Sequence, residues 1–175
     1  MKPSVFQTKK NMIKPSMTII ALAAGLCFKA EAADEDTETK VALGTIPAAA
    51  AKALKEQAGD AKITGLSKEK DEGKTVFEAT FTKKGRVHDV TVDERGKLVS
   101  DEEVIPVTEA PKAVRAAMEK EAPGAKIEKL ERIKEGGTVS YEALLSGKHK
   151  REEIKFDDKG KVLEREDKMR SKGKD

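Results

Sequence analysis

Two segments of the chain carry apolar residues at helical spacing. The first begins after Thr45, the predicted N-cap, opens at Pro47 and stops at Gly59-Asp60. The second opens at Pro111 and stops at Pro123-Gly124. The apolar stripes consist of Ala50, Ala53 and Leu54 in the first segment and of Val114, Ala117 and Met118 in the second. Such narrow stripes of mostly small residues predict helices that pack closely on a sheet.

Each predicted helix is followed by short segments with strand character, separated by glycine-containing turns. In the first half these segments are residues 61–70, 75–82, 86–93 and 97–103. Connections this short favour antiparallel hairpins. Within the second segment, Phe77, Ala79 and Phe81 share one face while Glu78 and Thr80 share the other. The alternation predicts a sheet with one apolar face under the helix and one polar face.

The pattern of the first half returns 64 positions later. Aligned without a gap from Pro47 to Glu103, 17 of 57 pairs are identical, and the matches fall on turn and core positions. We therefore predict an α+β fold of two tandem α-β-β-β-β units, residues 45–105 and 106–167, each a helix packed on an antiparallel four-stranded sheet.

Several short motifs resemble the PepSY-like domain family. They are a helix opened by proline, a Pro-Gly-Ala-Lys-Ile link at residues 123–127, a hairpin with Phe/Tyr-Glu-Ala at Phe77 and Tyr141, and a closing Asp-x-x-Gly-Lys turn at Asp93 and Asp157. The resemblance implies a fold related to the beta-lactamase inhibitor protein, in which the sheets of two α+β units join into one concave surface. That inhibitor uses exposed aromatic residues and disulfides. Here the large aromatic residues fall on the predicted core faces, so we do not expect this protein to inhibit a beta-lactamase.

Residues 1–32 have the pattern of a secretory signal peptide. A lysine-rich start precedes the apolar run 17–28 and the segment Ala30-Glu31-Ala32. Cys27 raises the alternative of a lipoprotein, but Leu26 precedes it where that signal requires a small residue. We expect a periplasmic or secreted protein with no membrane span after signal removal, an acidic disordered leader at 33–44 and a charged tail at 168–175.

Charge and cysteine content narrow the function classes. Cleavage after Ala32 would remove five of 35 basic and one of 32 acidic residues, which leaves 30 and 31 and a formal charge of −1. A chain without a net basic field is not expected to bind nucleic acid. The single cysteine, Cys27, would leave with the signal, so core packing alone would hold the exported protein.

No residue set in the sequence forms a recognisable catalytic, metal or cofactor site. His88 is predicted near a strand start and His149 in a turn, both at the surface or a sheet edge, and they are too far apart in sequence to suggest a metal site. Glu78 and Glu142 occupy equivalent positions on predicted exposed faces, which does not favour an acid and base pair. The candidate serine nucleophiles are Ser67, Ser100, Ser140 and Ser146, and none of them lies in a known motif.

The Asp-containing turns at residues 93–96 and 157–160 suggest calcium loops as one interpretation. They lack the alternating oxygen ligands of an EF-hand and carry a basic residue at the third place, so hairpin turns are the better interpretation.

The polar face of the sheet is therefore the candidate site. We predict an exported, non-catalytic module that binds or inhibits a protein or peptide there, without a cofactor. The candidate partner-binding residues are Val76, Glu78, Thr80, Asp89, Thr91, Ser140, Glu142, Leu144, Arg151, Glu153 and Lys155. The alternative is a small periplasmic metal-handling protein or hydrolase, based on His88, His149 and the many carboxylates.

Overall fold

The computed structural model describes residues 38–71, 73–148 and 150–168. Within them the chain forms one antiparallel sheet of nine strands, in which each strand pairs with the next one along the chain. Two helices complete an α+β fold. The strands are β1 (Thr39–Lys40), β2 (Ile63–Asp71), β3 (Lys74–Lys83), β4 (Arg86–Asp93), β5 (Leu98–Val104), β6 (Lys126–Glu135), β7 (Thr138–Ser146), β8 (Arg151–Asp157) and β9 (Val162–Asp167), and the helices are α1 (Ala48–Ala58) and α2 (Lys112–Glu121).

The four-stranded sheets predicted for the two units are parts of one continuous sheet. The junction is the pairing of β5 with β6, where Asp101 lies opposite Lys134 and Glu103 lies opposite Arg132. Opposite charges facing each other across neighbouring strands favour this pairing. The pattern of hairpins within each half does not predict the β5–β6 pairing, because α2 separates these two strands in the sequence.

The predicted disordered leader ends in ordered structure. Thr39 and Lys40 pair with Lys68 and Ser67 of β2, and the N–H of Val41 donates to the carbonyl of Leu66. The backbone hydrogen bonds of an edge strand order this short segment despite its polar sequence. The prediction of disorder is therefore wrong for this part of the leader.

Both helices begin where their proline predicts, but the predicted cap is wrong. Pro47 and Pro111 occupy the N-cap positions of α1 and α2. Thr45 instead belongs to a short 3-10 helix, Leu43–Thr45, and its hydroxyl donates to the carbonyl of Ala42 at 2.8 Å. The extra turn before the proline moves the hydroxyl away from the first turn of α1.

The helices lie on the same face of the sheet and bury two apolar clusters. As predicted, Leu54 and Met118 are buried at the centre of their helices, and the aromatic residues are buried beneath them. The cluster under α1 contains Ile46, Ala50, Leu54, Ala58, Phe77, Ala79, Phe81, Val90 and Val92. The cluster under α2 contains Ile105, Ala110, Val114, Met118, Leu130, Tyr141, Ala143, Leu145, Ile154 and Phe156.

Fine details of the backbone recur at the 64-residue offset. Irregular pairing occurs at residues 63–65 and 127–129, and again at 91–92 and 155–156. The carboxylate of Asp93 accepts the N–H groups of Arg95 and Lys97, and Asp157 does the same in the second half. These segments are turns, as predicted.

Glycine is needed in both turns. Gly96 and Gly160 have φ near +80°, and a Cβ on either would lie 2.5 Å from a helix carbonyl. Any side chain at these positions would push the turn away from the helix that it contacts.

Several predictions fall on residues outside the described part. They concern the signal peptide 1–32, residues 33–37 of the leader, His149, and residues 169–175 of the tail. Among the described residues, no helix is both long and apolar enough to cross a membrane.

Candidate functional site

Cross-strand partners place the eleven predicted site residues on one face of the sheet, opposite the helices. Thr80 pairs with Asp89 across β3 and β4, and Glu142 pairs with Lys155 across β7 and β8. The chain of partners continues from Asp89 through Glu102 and Ile133 to Ser140, which joins the two halves. We call this surface the open face, because no helix of the described residues covers it, and the opposite surface the helix face.

The open face is more enclosed than predicted. Val76, Thr91 and Ser140 are buried, whereas exposure was expected. Ile133 and Glu131, near the middle of the same face, are 3% and 2% exposed. These residues are therefore buried although no helix of the described residues lies above them.

A line of carboxylates crosses the open face, one from each of six consecutive strands. Asp89 lies directly opposite Glu102, and Glu131 lies directly opposite Glu142. We call the line the acidic row; its members are Glu78, Asp89, Glu102, Glu131, Glu142 and Glu153. At about 4.8 Å per strand the row is roughly 25 Å long.

Two members of the acidic row, Glu102 and Glu131, were absent from the predicted site. Alternation with Ser100 in β5 is the sequence signal that could have identified Glu102. For Glu131 the signal is hidden, because the irregular pairing at residues 127–129 shifts the alternation of β6.

Four members of the acidic row, Glu78, Glu102, Glu131 and Glu142, have raised pKa values. Burial, reinforced by the charge of Asp89, raises the pKa of Glu78 to about 7. Burial, reinforced by Glu131, raises the pKa of Glu102 to about 8, and burial with the charge of Glu153 raises the pKa of Glu142 to about 8. Both effects disfavour the charged carboxylate. Part of the row is therefore protonated near neutral pH.

The cations of the open face neutralise only part of the row. Lys129 pairs with Glu131 at 2.7 Å and Lys168 pairs with Glu153 at 2.9 Å. Asp89 accepts a hydrogen bond from the hydroxyl of Thr80 at 2.5 Å. Three members, Glu78, Glu102 and Glu142, form no ion pair with any of the described residues.

The carboxylates at the middle of the helix face are paired. Glu103 accepts from Arg86 at 2.8 Å and also from Arg132. Burial alone would raise the pKa of Glu103, but these hydrogen bonds lower it below its usual range. Asp101 pairs with His88 at 3.0 Å and Lys134 at 3.3 Å, which likewise lowers its pKa against the effect of burial.

The prediction that His88 lies at the surface or a sheet edge is wrong. The side chain is 16% exposed, lies on an interior strand and stacks on Phe81 with ring centroids 5.5 Å apart. His88 lies on the same face of β4 as the buried Val90 and Val92. Its ring nitrogen Nδ1 is shielded from water there, and the hydrogen bond with Asp101 satisfies it.

The described residues bring together no catalytic or metal constellation. Ser67, Ser100, Ser140 and Ser146 belong to the open face, whereas His88 belongs to the helix face, so the sheet separates the serines from this histidine. No group of three or more His, Cys, Asp and Glu side chains within the described ranges is arranged to hold a metal ion.

Solved structures with the same fold come from Bacteroides species. A protein from Bacteroides eggerthii, described as one of its "putative periplasmic proteins", is 18% identical with a TM-score of 0.61, over 73% of this chain and 93% of that one. A DUF2874 family protein from Bacteroides uniformis is 20% identical with a TM-score of 0.58, over 69% and 88% of the two chains. A BLIP-like protein from Bacteroides fragilis is 16% identical with a TM-score of 0.55, over 74% and 92%.

These likenesses show the fold, and the sequence itself shows the family. No curated protein sequence matches the chain. The sequence model of a family described as "Putative beta-lactamase-inhibitor-like, PepSY-like" matches twice, at residues 24–100 and 77–164. The two matches overlap, but together they span most of the chain, so the protein belongs to the PepSY-like, beta-lactamase-inhibitor-like family.

Proposed function

We propose that the protein is an exported, non-catalytic module that binds another exported protein or a peptide on its open face. The observation that carries this proposal is the acidic row, in which Glu78, Glu102 and Glu142 are half-buried without an ion pair among the described residues. A carboxyl group buried without a partner is costly to ionise, and a cost of this kind is characteristic of functional surfaces. Family membership and the periplasmic description of the Bacteroides eggerthii protein support an exported location.

The separation of serines from His88 by the sheet supports a non-catalytic role. A serine nucleophile needs a base within hydrogen-bond reach. The only hydrogen-bonded carboxylate of His88 among the described residues is Asp101, on the helix face, away from those serines. The hydrolase and metal-handling alternatives gain no supporting observation from the described residues.

The finer architecture supports binding by one extended surface. We infer two tandem units, at residues 45–105 and 106–167, with their four-stranded portions joined at β5 and β6. The recurrence of turns, irregular pairings and helix contacts at the 64-residue offset supports the duplication. Joining two units doubles the width of the open face.

Capture from periplasmic extract of the native host tests the proposal. The immobilised protein is compared with a variant in which Glu78, Asp89, Glu142 and Glu153 are changed to Lys. We expect one or more proteins to be captured by the wild type and lost with the variant, since like charges across an interface are costly. Each captured protein is then identified by mass spectrometry and its Kd is measured in purified form.

A matched control variant distinguishes an effect of the open face from an effect of the protein's overall charge. It carries the same number of reversals at four exposed carboxylates off the open face, Glu56, Asp60, Glu94 and Asp158. Capture that survives in both variants, or is lost equally in both, would contradict a role for the open face. So would the absence of any captured protein that binds in purified form.

A further inference from the structure

The chemistry of the open face restricts the kind of partner that it can accept. Two pairs of carboxylates lie directly opposite each other, Asp89 with Glu102 and Glu131 with Glu142. Like charges opposite each other destabilise a sheet. Lys129 relieves one of these pairs by binding Glu131, and the other has no cation within ion-pair distance among the described residues.

The remaining cations of the open face lie towards the two ends of the sheet. Lys155 of β8 lies 3.9 Å from Glu135, and Lys168, after β9, binds Glu153 and Glu166. The others are Lys40 on β1, Lys74 on β3 and Arg151 on β8. In the half of the acidic row on β3 to β5, formed by Glu78, Asp89 and Glu102, no cation of the described residues forms an ion pair with a row member. An incoming positive charge would therefore gain most in that half.

Three classes of ligand fit this surface poorly. Nucleic acids, anionic membranes and acidic peptides would be repelled by the row. A tightly held metal ion needs several ligands converging on one point, and no such group exists among the described residues. A ligand with several positive charges spread along its length matches a row of carboxylates spread across six strands.

We propose that the acidic row binds a lysine- or arginine-rich segment of the partner, in extended conformation across the strands. This inference rests on the proposed function and specifies its partner. An extended chain rises about 3.4 Å per residue, so a segment of about seven residues spans the row. Apolar side chains beside the row, such as Leu144, can contact the aliphatic stems of the lysines.

The probe is a blocked heptalysine peptide, titrated into the full mature chain by isothermal calorimetry at pH 7.5 and low salt. The test variant is Glu78→Gln/Glu102→Gln/Glu142→Gln, and the control is Glu56→Gln/Glu94→Gln/Asp158→Asn, which loses the same formal charge at exposed sites. We expect at least a tenfold weaker Kd for the test variant and less than a twofold change for the control. A heptapeptide of acetylated lysine should not bind.

Proton release provides a second readout. A bound cation favours the charged carboxylate, so binding lowers the raised pKa values of Glu78, Glu102 and Glu142 and releases protons near pH 7. The heat of binding should then depend on the ionisation enthalpy of the buffer, and this dependence should be lost in the test variant. The other charged groups that face the row or flank it on the open face are Lys40, Lys74, Lys129, Arg151, Lys155, Lys168, Glu38, Glu69, Glu135, Glu164 and Glu166.

The outcomes distinguish this inference from the proposed function. No heptalysine binding, equal weakening of both variants, or equal binding of the acetylated peptide would overturn the cationic partner. If extract capture still yields a protein that depends on the open face and has no basic segment, the proposed function stands and only this inference falls. If heptalysine binds as expected but no protein is captured, the proposed function fails in its stated form.

Discussion

Two neighbouring glutamates on β5, Glu102 and Glu103, have different surroundings because they lie on opposite faces of the sheet. Glu103 points to the helix face and is held by Arg86 and Arg132. Glu102 points to the open face and forms no ion pair with the described residues. Since both belong to one strand and neither is freely exposed, the difference comes from the partners that the sheet supplies on each side. The helix face pairs its carboxylates, whereas the open face holds carboxyl groups that the stability of the fold does not require.

The largest loss of stability is expected when the apolar contacts of the helix face are removed. Leu54→Ala and Met118→Ala should each lower the free energy of unfolding by about 2–5 kcal/mol, because both side chains are buried under their helices. Urea denaturation measures the change. Leu163→Ala, at a side chain that is half exposed, is the control and should cost less than about 1 kcal/mol. Unchanged midpoints in both core variants would contradict the assignment of the core.

A smaller loss is expected from Glu103→Gln. This substitution removes the mostly buried carboxylate that Arg86 and Arg132 share. Arg86 keeps Glu109 at 2.6 Å, but Arg132 is left without an ion pair among the described residues, which should cost about 2–4 kcal/mol at pH 7. The same measurement on Glu102→Gln provides the contrast, since that change should not destabilise the protein. If the two neighbouring substitutions have equal effects, the distinction between the faces is wrong.

The smallest effect has the opposite sign and depends on pH. The pKa of Glu102 and of Glu142 is about 8 in the folded protein and about 4.5 when unfolded, so the folded state binds more protons between these values. Stability contributed by these groups is complete below pH 4.5 and is lost as the pH rises towards 8. Glu102→Gln and Glu142→Gln should therefore each stabilise by about 1–3 kcal/mol at pH 8 and have little effect at pH 4.

Denaturation curves at both pH values measure this difference. Glu94→Gln, on an exposed turn, serves as the control and should leave stability unchanged at either pH. A gain in the test variants that is as large at pH 4 as at pH 8 would show that lost charge is not its cause.

Local patterns in the sequence predicted the elements well because their causes are local. Alternation around Phe77 and Tyr141, and the turns closed by Gly96 and Gly160, identify strands whose bounds differ from the structure by only a few residues. The position of Leu54 likewise identifies the buried stripe of α1. These features depend on neighbours in sequence.

The rest depends on contacts between distant residues. The β5–β6 junction joins strands separated by α2, and β1 is ordered only because β2 offers an edge. The burial of Thr91 and Ser140 likewise does not follow from the pattern of their own strands. No periodicity within one segment could reveal these contacts, nor the acidic row that they assemble.

The register of the β5–β6 junction also bears on whether copies of the chain can polymerise end to end. If β9 of one molecule met β2 of the next in that register, moved by 64 residues, Glu164 would face Asp71, Arg165 would face Lys70 and Glu166 would face Glu69. Only Asp167 would face an opposite charge, at Lys68, and there β1 already occupies the edge of β2. The pairing that joins the halves is thus blocked between molecules by like charges, which protects the open sheet edge from growth into fibres.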